Sequence, residues 1–309
     1  MMISMENGCC DNSFIFNGKS YKATNHMAIL RNLRNIATYC DSDHVKKALL
    51  ALKASVKNGK QFPFRYYTAL QMIKNSSCNH KTQIIDALEE CIDISLENMP
   101  RLKGKTMCLS DNSGSAWGSI PSEYGTVKIA EIDNLSSVIT AALSEEGYVG
   151  KFGDKLITHP ISKRNGILSQ AEAISKTRCN DVGASTEGGI WEFFKNAINK
   201  KEHWDNIFIY SDQQAGHGGL YGTYKQLREY GEKYGCGYSG NYINVYDLIL
   251  EYRKKVNPKV NVFSVQTASY TNVLIPENSY RCALLYGWSG KELNYADKIN
   301  KLWDEVESK

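Results

Sequence analysis

Three short stretches of this 309-residue sequence carry oxygen donors of the kind a small hard cation binds. Asp111-Asn112-Ser113-Gly114-Ser115 sets two hydroxyls two residues apart, so that both can point the same way from one turn. Thr186, within Gly183-Ala184-Ser185-Thr186-Glu187-Gly188-Gly189, offers a third hydroxyl, and Asp212, in Ser211-Asp212, joins Asp111 as a second carboxylate. Magnesium takes about six oxygens in near-octahedral order and keeps several waters. The hydroxyls of Ser113, Ser115 and Thr186 can therefore bind the ion while Asp111 and Asp212 grip its waters. With little direct carboxylate contact the ion stays electrophilic and accepts a carboxylate or phosphate from a partner at an open position. Asp-x-Ser-x-Ser alone is a weak signal, because Ser and Asp are common in turns and caps. Helix capping by Ser113 and Ser185, with Asp212 as a turn residue, is the plainer alternative.

Other chemistry finds less support. Gly216-His217-Gly218-Gly219-Leu220-Tyr221-Gly222 nearly reads as a dinucleotide fingerprint, but Tyr221 stands where the third glycine belongs, and no Walker lysine pattern exists. Ser113 and Ser115 lack the Gly-x-Ser-x-Gly frame of a nucleophile elbow. Glu187 reads as a helix-start carboxylate, His217 as an exposed loop residue, and Trp191, Phe193 and Phe194 as core. No catalytic residue is expected, and the chain is not expected to be an enzyme.

The elements around these stretches give them a common location. From 22 to about 99 the pattern is helical. Ile29, Leu30, Leu33 and Ile36 form one stripe. Asp43 is placed to cap a second helix, Pro63 opens a third, and Ile84, Ile85, Leu88, Ile92 and Leu96 mark a fourth. Short amphipathic helices joined by short turns have the form of stacked helical hairpins. Beyond Leu102–Lys105 strands alternate with helices. Strands are expected at 106–110, 148–152 with a second hairpin arm at 155–159, 206–210, 260–266 and 282–286. Helices are expected at 127–143, 170–177, 189–200, 224–234, 245–255 and 292–306. Such alternation implies a mostly parallel sheet with helices on both faces, whose ligands sit beyond the C-terminal ends of the strands. Asp111–Ser115, the 183–189 loop and Asp212 should all open at that edge. The expected organisation is a flexible lead-in at 1–20, an all-α helical-repeat segment at 21–103 and an α/β domain at 104–309.

Apolar residues at 42% and charged residues at 23% indicate ordered domains and argue against disorder. The net charge of +4 is uneven. Residues 1–103 carry fourteen Lys and Arg against nine Asp and Glu, a mild excess that suits an anionic partner or a solvated helical surface equally well. Nine cysteines without a CxxC pair argue against a disulfide scaffold or a zinc site. No signal peptide or membrane-spanning run is visible, so a cytoplasmic protein without a membrane partner is expected.

The three-part pattern Asp111-x-Ser113-x-Ser115, Thr186 and Asp212 resembles the metal-ion-dependent adhesion site (MIDAS) of von Willebrand factor A domains. The wider text resembles the Ro autoantigen (TROVE) family over about residues 22–309. That resemblance is carried by Met27-Ala28-Ile29-Leu30-Arg31-Asn32-Leu33-Arg34-Asn35, Phe62-Pro63-Phe64-Arg65-Tyr66, the metal loop, Glu202-His203-Trp204-Asp205-Asn206 and Ser211-Asp212-Gln213-Gln214-Ala215-Gly216-His217-Gly218-Gly219. It implies a Rossmann-like A domain preceded by HEAT-like repeats, and a ring of repeats that binds small noncoding RNAs and threads the ends of misfolded ones. It further implies a divalent ion, Mg2+ first with Mn2+ or Ca2+ as substitutes, and a protein ligand that offers the ion a carboxylate. The departure is length. About 80 residues of repeat are far short of a closed ring, so a separate chain would have to supply the rest, or RNA binding is lost and a MIDAS-based interaction module remains. Arg31, Arg34, Lys46, Lys47 and Arg65 are the candidate phosphate contacts, with Tyr66 or Tyr67 as a stacking platform; for each, a solvated or structural role is the alternative.

Overall fold

The structure, a computed structural model, describes residues 13–16, 19–22, 26–122, 125–184, 188–213, 219–221, 228–229, 231–232, 242–268, 273–276, 278–288 and 290–308. The chain divides into two compact units, Met1–Asn98 with Gly166–Leu168, and Met99–Asn165 with Ser169–Lys309.

The first unit is helical behind a small hairpin. Strands β1 (Ser13–Phe16) and β2 (Lys19–Lys22) pair antiparallel, with Phe16 opposite Lys19. The stretch 1–20 was expected to hold no element. The sequence between the arms is Asn17-Gly18, the dipeptide most favoured in two-residue hairpin loops. Helix α1 (His26–Tyr39) buries the expected stripe of Ile29, Leu30, Leu33 and Ile36. Helix α2 (Ser42–Ala54) is capped by Asp41 and not by Asp43. The Asp41 carboxylate accepts from the backbone N–H of Asp43 at 3.0 Å and of His44 at 2.9 Å, the two donors a cap must satisfy. A single turn, α3 (Val56–Gly59), precedes α4 (Pro63–Lys74), which Pro63 opens as expected, and α5 (Lys81–Leu96).

His26 ties three of these helices together. Its Nδ1 lies 3.0 Å from both the Leu52 carbonyl and the Ser55 hydroxyl, and its Nε2 lies 3.0 Å from the Tyr66 phenol. Burial lowers its pKa below the ordinary 6.5, so folding favours the neutral ring. The contribution to stability is complete above about pH 6.5 and is lost as pH falls towards the lower folded value. Thermal unfolding followed from pH 7.5 to 5 should show that loss, and His26→Gln should flatten it.

The second unit is built on a six-stranded sheet of order β12-β11-β8-β3-β6-β7. Strands β3 (Leu102–Asp111), β6 (Ser144–Phe152), β8 (Asn206–Ser211), β11 (Asn261–Gln266) and β12 (Cys282–Tyr286) run parallel. β7 (Leu156–Pro160) returns antiparallel on β6, the expected hairpin. The helices are α6 (Ile129–Ala142), α7 (Ile167–Ser175), α8 (Gly189–Lys200), α9 (Val245–Lys255) and α10 (Glu292–Glu307). Alternation along the strands sends Met107, Leu109, Ile207, Ile209 and Val262 into one core with Phe194, Ile198, Leu248 and Tyr252 of α8 and α9. Trp191, Phe193 and Phe194 lie in that core, as expected. On the other face Phe208 stacks on Phe263 and Phe263 on Trp303 of α10, while the Tyr210 phenol meets the Thr140 hydroxyl of α6 at 2.7 Å. The sheet is thus covered on both faces, a von Willebrand A-like α/β arrangement. Two further antiparallel pairs, β4 (Ser119–Ser122) with β5 (Gly125–Lys128) and β9 (Gly219–Tyr221) with β10 (Tyr242–Asn244), were not expected. The helix expected at 224–234 lies largely outside the described residues. The six described cysteines, Cys40, Cys78, Cys91, Cys108, Cys179 and Cys282, are free thiols.

Candidate metal centre

The strand order sets the site. After β3 the chain goes to β6 on one side; after the β6–β7 hairpin it crosses back to β8 on the other. The crevice at the carboxyl ends of β3 and β8 is therefore a topological switch point, where open α/β sheets bind ligands. Asp111 ends β3 and Ser211 ends β8.

The loops there are drawn together by their own side chains. Ser211 Oγ donates to Asp111 Oδ2 at 2.7 Å, and Ser113 N donates to Asp111 Oδ1 at 2.9 Å. The Ser113 and Ser115 hydroxyls lie 3.2 Å apart, so the i, i+2 spacing does aim both the same way. Asp111, Ser113 and Asp212 are buried, whereas Ser115 is exposed and marks the mouth. Behind the turn, Asn112 Nδ2 donates to Asn134 Oδ1 at 2.8 Å, and Asn134 Nδ2 returns to Asn112 Oδ1 at 3.1 Å and to Ser175 Oγ at 2.9 Å. This buried amide pair fixes the turn to α6 and α7.

Thr186 lies outside the described residues, as do Ser185, Glu187 and His217. Both flanks of its loop are placed. Gly114 N donates to Ala184 O at 2.7 Å, and Gly189 N donates to Gly153 O at 3.0 Å. Gly183 takes a positive φ of 88°, and a Cβ there would collide with the Asp154 carboxylate, so only glycine suits the approach. Lys151 of β6, buried, donates from Nζ to Asp181 Oδ1 and Thr177 Oγ1, each at 2.7 Å, and holds the segment leading to this loop. Lys151→Met breaks that clamp. Because Asp181 is partly exposed and recovers water, the expected loss is about 1–3 kcal/mol, at or below the usual range for a broken buried pair. Urea unfolding checks this.

Burial and neighbouring carboxylates set the electrostatics of the site. Burial, then the Asp212 carboxylate, pushes the Asp111 pKa up to about 6 against the pull of Ser211 and Ser113 donors. Asp133 of α6 is raised well above the carboxylate range by burial, then by Asp111 and Asp212. No positive group appears among the influences on either. Among the described residues no three His, Cys, Asp or Glu side chains form a cage by themselves. A cation here would take the mixed set of hydroxyls, waters and outer carboxylates that Mg2+ tolerates well, and the donors present fit that ion. At the rim Trp117, two residues past Ser115, has Lys128 Nζ 5.6 Å and the Arg178 guanidinium 5.8 Å from its ring centroid.

The candidate phosphate contacts fall in the helical unit. Arg31 and Arg34 on α1 and Lys46 and Lys47 on α2 are exposed, and Arg65 on α4 is half-buried. Tyr66 and Tyr67 cannot stack on a base, because both are core residues at 0% and 2% exposure. Sequence reading missed Ser211, Lys151, Asp133 and Asn134. Asp133 and Asn134 stand in α6 among further polar residues, Glu131, Ser136, Ser137 and Thr140, so the sequence alone did not single them out.

No family model matches the chain, and no curated protein matches it. Solved structures do. In fold the chain is similar to a Ro protein. The Ro (Rsr) protein of Deinococcus radiodurans superposes with a TM-score of 0.56 at 15% sequence identity, over 87% of this chain and 53% of that one. The likeness to Ro is one of fold, and the chain spans about half the length of that protein. Among the described residues no helix is long and apolar enough to cross a membrane.

Proposed function

We propose that the chain is a Ro-like RNA-binding protein of small noncoding RNA ribonucleoproteins, whose A-type domain docks a partner through a divalent ion. The observation that carries the docking half is the Ser113–Ser115 hydroxyl pair, held on a buried Asp111 beside Asp212 at the sheet's switch point. Asp111, Ser113, Ser115, Thr186 and Asp212 are the ligand set, with Mg2+ the ion best suited to it. The cations around Trp117 favour an acidic partner group at the open position. Ro-like fold and the exposed basic residues of α1 and α2 support the RNA half. The reading assigns no catalytic role.

RNA held through phosphates releases counterions, so its affinity falls steeply with salt. A structured small RNA should bind the chain at 50 mM salt and weaken about tenfold or more by 200 mM. Reversing Arg31, Arg34, Lys46 and Lys47 to Glu should remove most of that binding and flatten its salt slope. Filter binding across a salt series measures both. A second reading is a MIDAS-based protein-interaction module without RNA binding. It is selected if no RNA binds at low salt, even with the product of a neighbouring gene that supplies further repeats.

A further inference from the structure

Asp133 stands in the middle of α6 with no exposed surface. Among the described residues neither of its carboxylate oxygens has a hydrogen-bond partner, and neither does the buried hydroxyl of Thr267. Thr267 is nonetheless close enough to favour the ionised carboxylate. The Ser137 hydroxyl, one turn further along α6, is also buried without a partner. A buried carboxylate that accepts nothing is among the most costly groups a core can hold. Buried polar clusters of this kind are where ordered water resides.

The position of Asp133 says what a water there would serve. The next residue, Asn134, is bonded to Asn112 in the Asp111–Ser115 turn and accepts from Ser110 Oγ at 2.7 Å. Thr267 N donates to Ser211 O at 3.2 Å, beside Asp212. Asp133 therefore lies behind the loops at the carboxyl ends of β3, β8 and β11, on the buried side of the candidate metal centre. The charges that bear on it are Asp111 and Asp212. Repulsion from Asp111 and Asp212 adds to burial in raising Asp133, and a divalent ion gains more from such carboxylates than a monovalent one.

We propose that Asp133 is a positioning residue of the metal centre, accepting hydrogen bonds from water that the ion binds on its buried side, with Thr267 holding the same water. This rests on the reading of Asp111, Ser113, Ser115, Thr186 and Asp212 as the ligand set. Outer-shell carboxylates of this kind orient a metal's ligands, and their loss typically costs about 10–100-fold in metal affinity.

The test is Asp133→Asn, which keeps shape and removes charge, in the full chain at pH 7.5. Mn2+ binding is measured by calorimetry and ion-free stability by thermal unfolding. The ion-free variant should be at least as stable as wild type, because neither carboxylate oxygen has a hydrogen-bond partner to lose, while the Kd for Mn2+ weakens about 10–100-fold. Thr267→Val should weaken it less. An ordinary structural role predicts the reverse, lower ion-free stability with an unchanged Kd, and would overturn the proposal. So would failure of Asp133→Asn to fold. If the wild type binds Mn2+ and Asp133→Asn binds it equally well, Asp133 has no part in the centre and the ligand set stands. If the wild type binds no Mn2+ at all, the ligand set fails and this inference fails with it.

Discussion

Millimolar Mg2+ or Mn2+ will raise the unfolding temperature of the wild-type chain, and the Asp111→Ala, Ser113→Ala double variant will show no such rise. An ion that binds only the folded protein adds about 2.7 kcal/mol of stability at a hundred times its Kd. For a domain of this size that corresponds to roughly 5 °C or more. Ser113→Ala deletes one of the paired hydroxyls. Asp111→Ala deletes the carboxylate that orders the turn, since it accepts from Ser113 N and Ser211 Oγ. The ion-free variant loses those bonds but also a buried charge that Asp212 repels, so its own stability should change far less than its response to metal. Asp111→Asn retains an acceptor and separates the two effects. An undiminished metal response in the double variant would exclude the assigned ligands.

Phe208→Ala is expected to be the most destabilising single substitution at the sheet, at about 3–5 kcal/mol. The Phe208 ring, with no exposed surface, stacks on Phe263 at 4.6 Å between centroids and neighbours Tyr210 at 6.1 Å. Truncation leaves a cavity at the middle of the central strand pair and removes ring contacts each worth about 0.5–1.5 kcal/mol beyond area. Phe208→Leu should cost clearly less. Because the same strand carries Ser211 to Asp111, Phe208→Ala should also weaken the proposed metal binding. Urea unfolding with an unchanged slope reads stability directly, and a loss below about 1 kcal/mol would contradict the packing described for this face.

How much of this was legible depends on where each residue's partners lie. The α8 and α9 spans and strand β12 coincide with the expected ones, because an amphipathic stripe or a short apolar run between breakers is a local signal. The Asp111–Ser115 turn and Ser211-Asp212 could be placed at one edge because strand ends in a parallel sheet share it, so position after a strand already implies convergence; Thr186 lies outside the described residues. The β1–β2 hairpin was missed although Asn17-Gly18 announces it; its arms are only four residues long and weakly patterned. Tyr66 was read as a possible stacking residue because its partner, His26, is forty positions away. Lys151 and Asp133 are charged residues in apolar elements, and nothing local distinguishes a clamp or a buried carboxylate from an exception to the pattern. Asp41 caps α2 where Asp43 was expected, because two acids two residues apart both satisfy the cap preference and only the bond to His44 N decides.

One ion bridging the turn at 111–115, Thr186 and Asp212 is the central proposal. Crystals grown with Mn2+ and measured for its anomalous scattering test that directly. A single peak should lie within bonding distance of the Ser113, Ser115 and Thr186 hydroxyls, with water between it and Asp111 and Asp212. A well-ordered site with no peak, or a peak that Thr186 does not reach, would contradict the account.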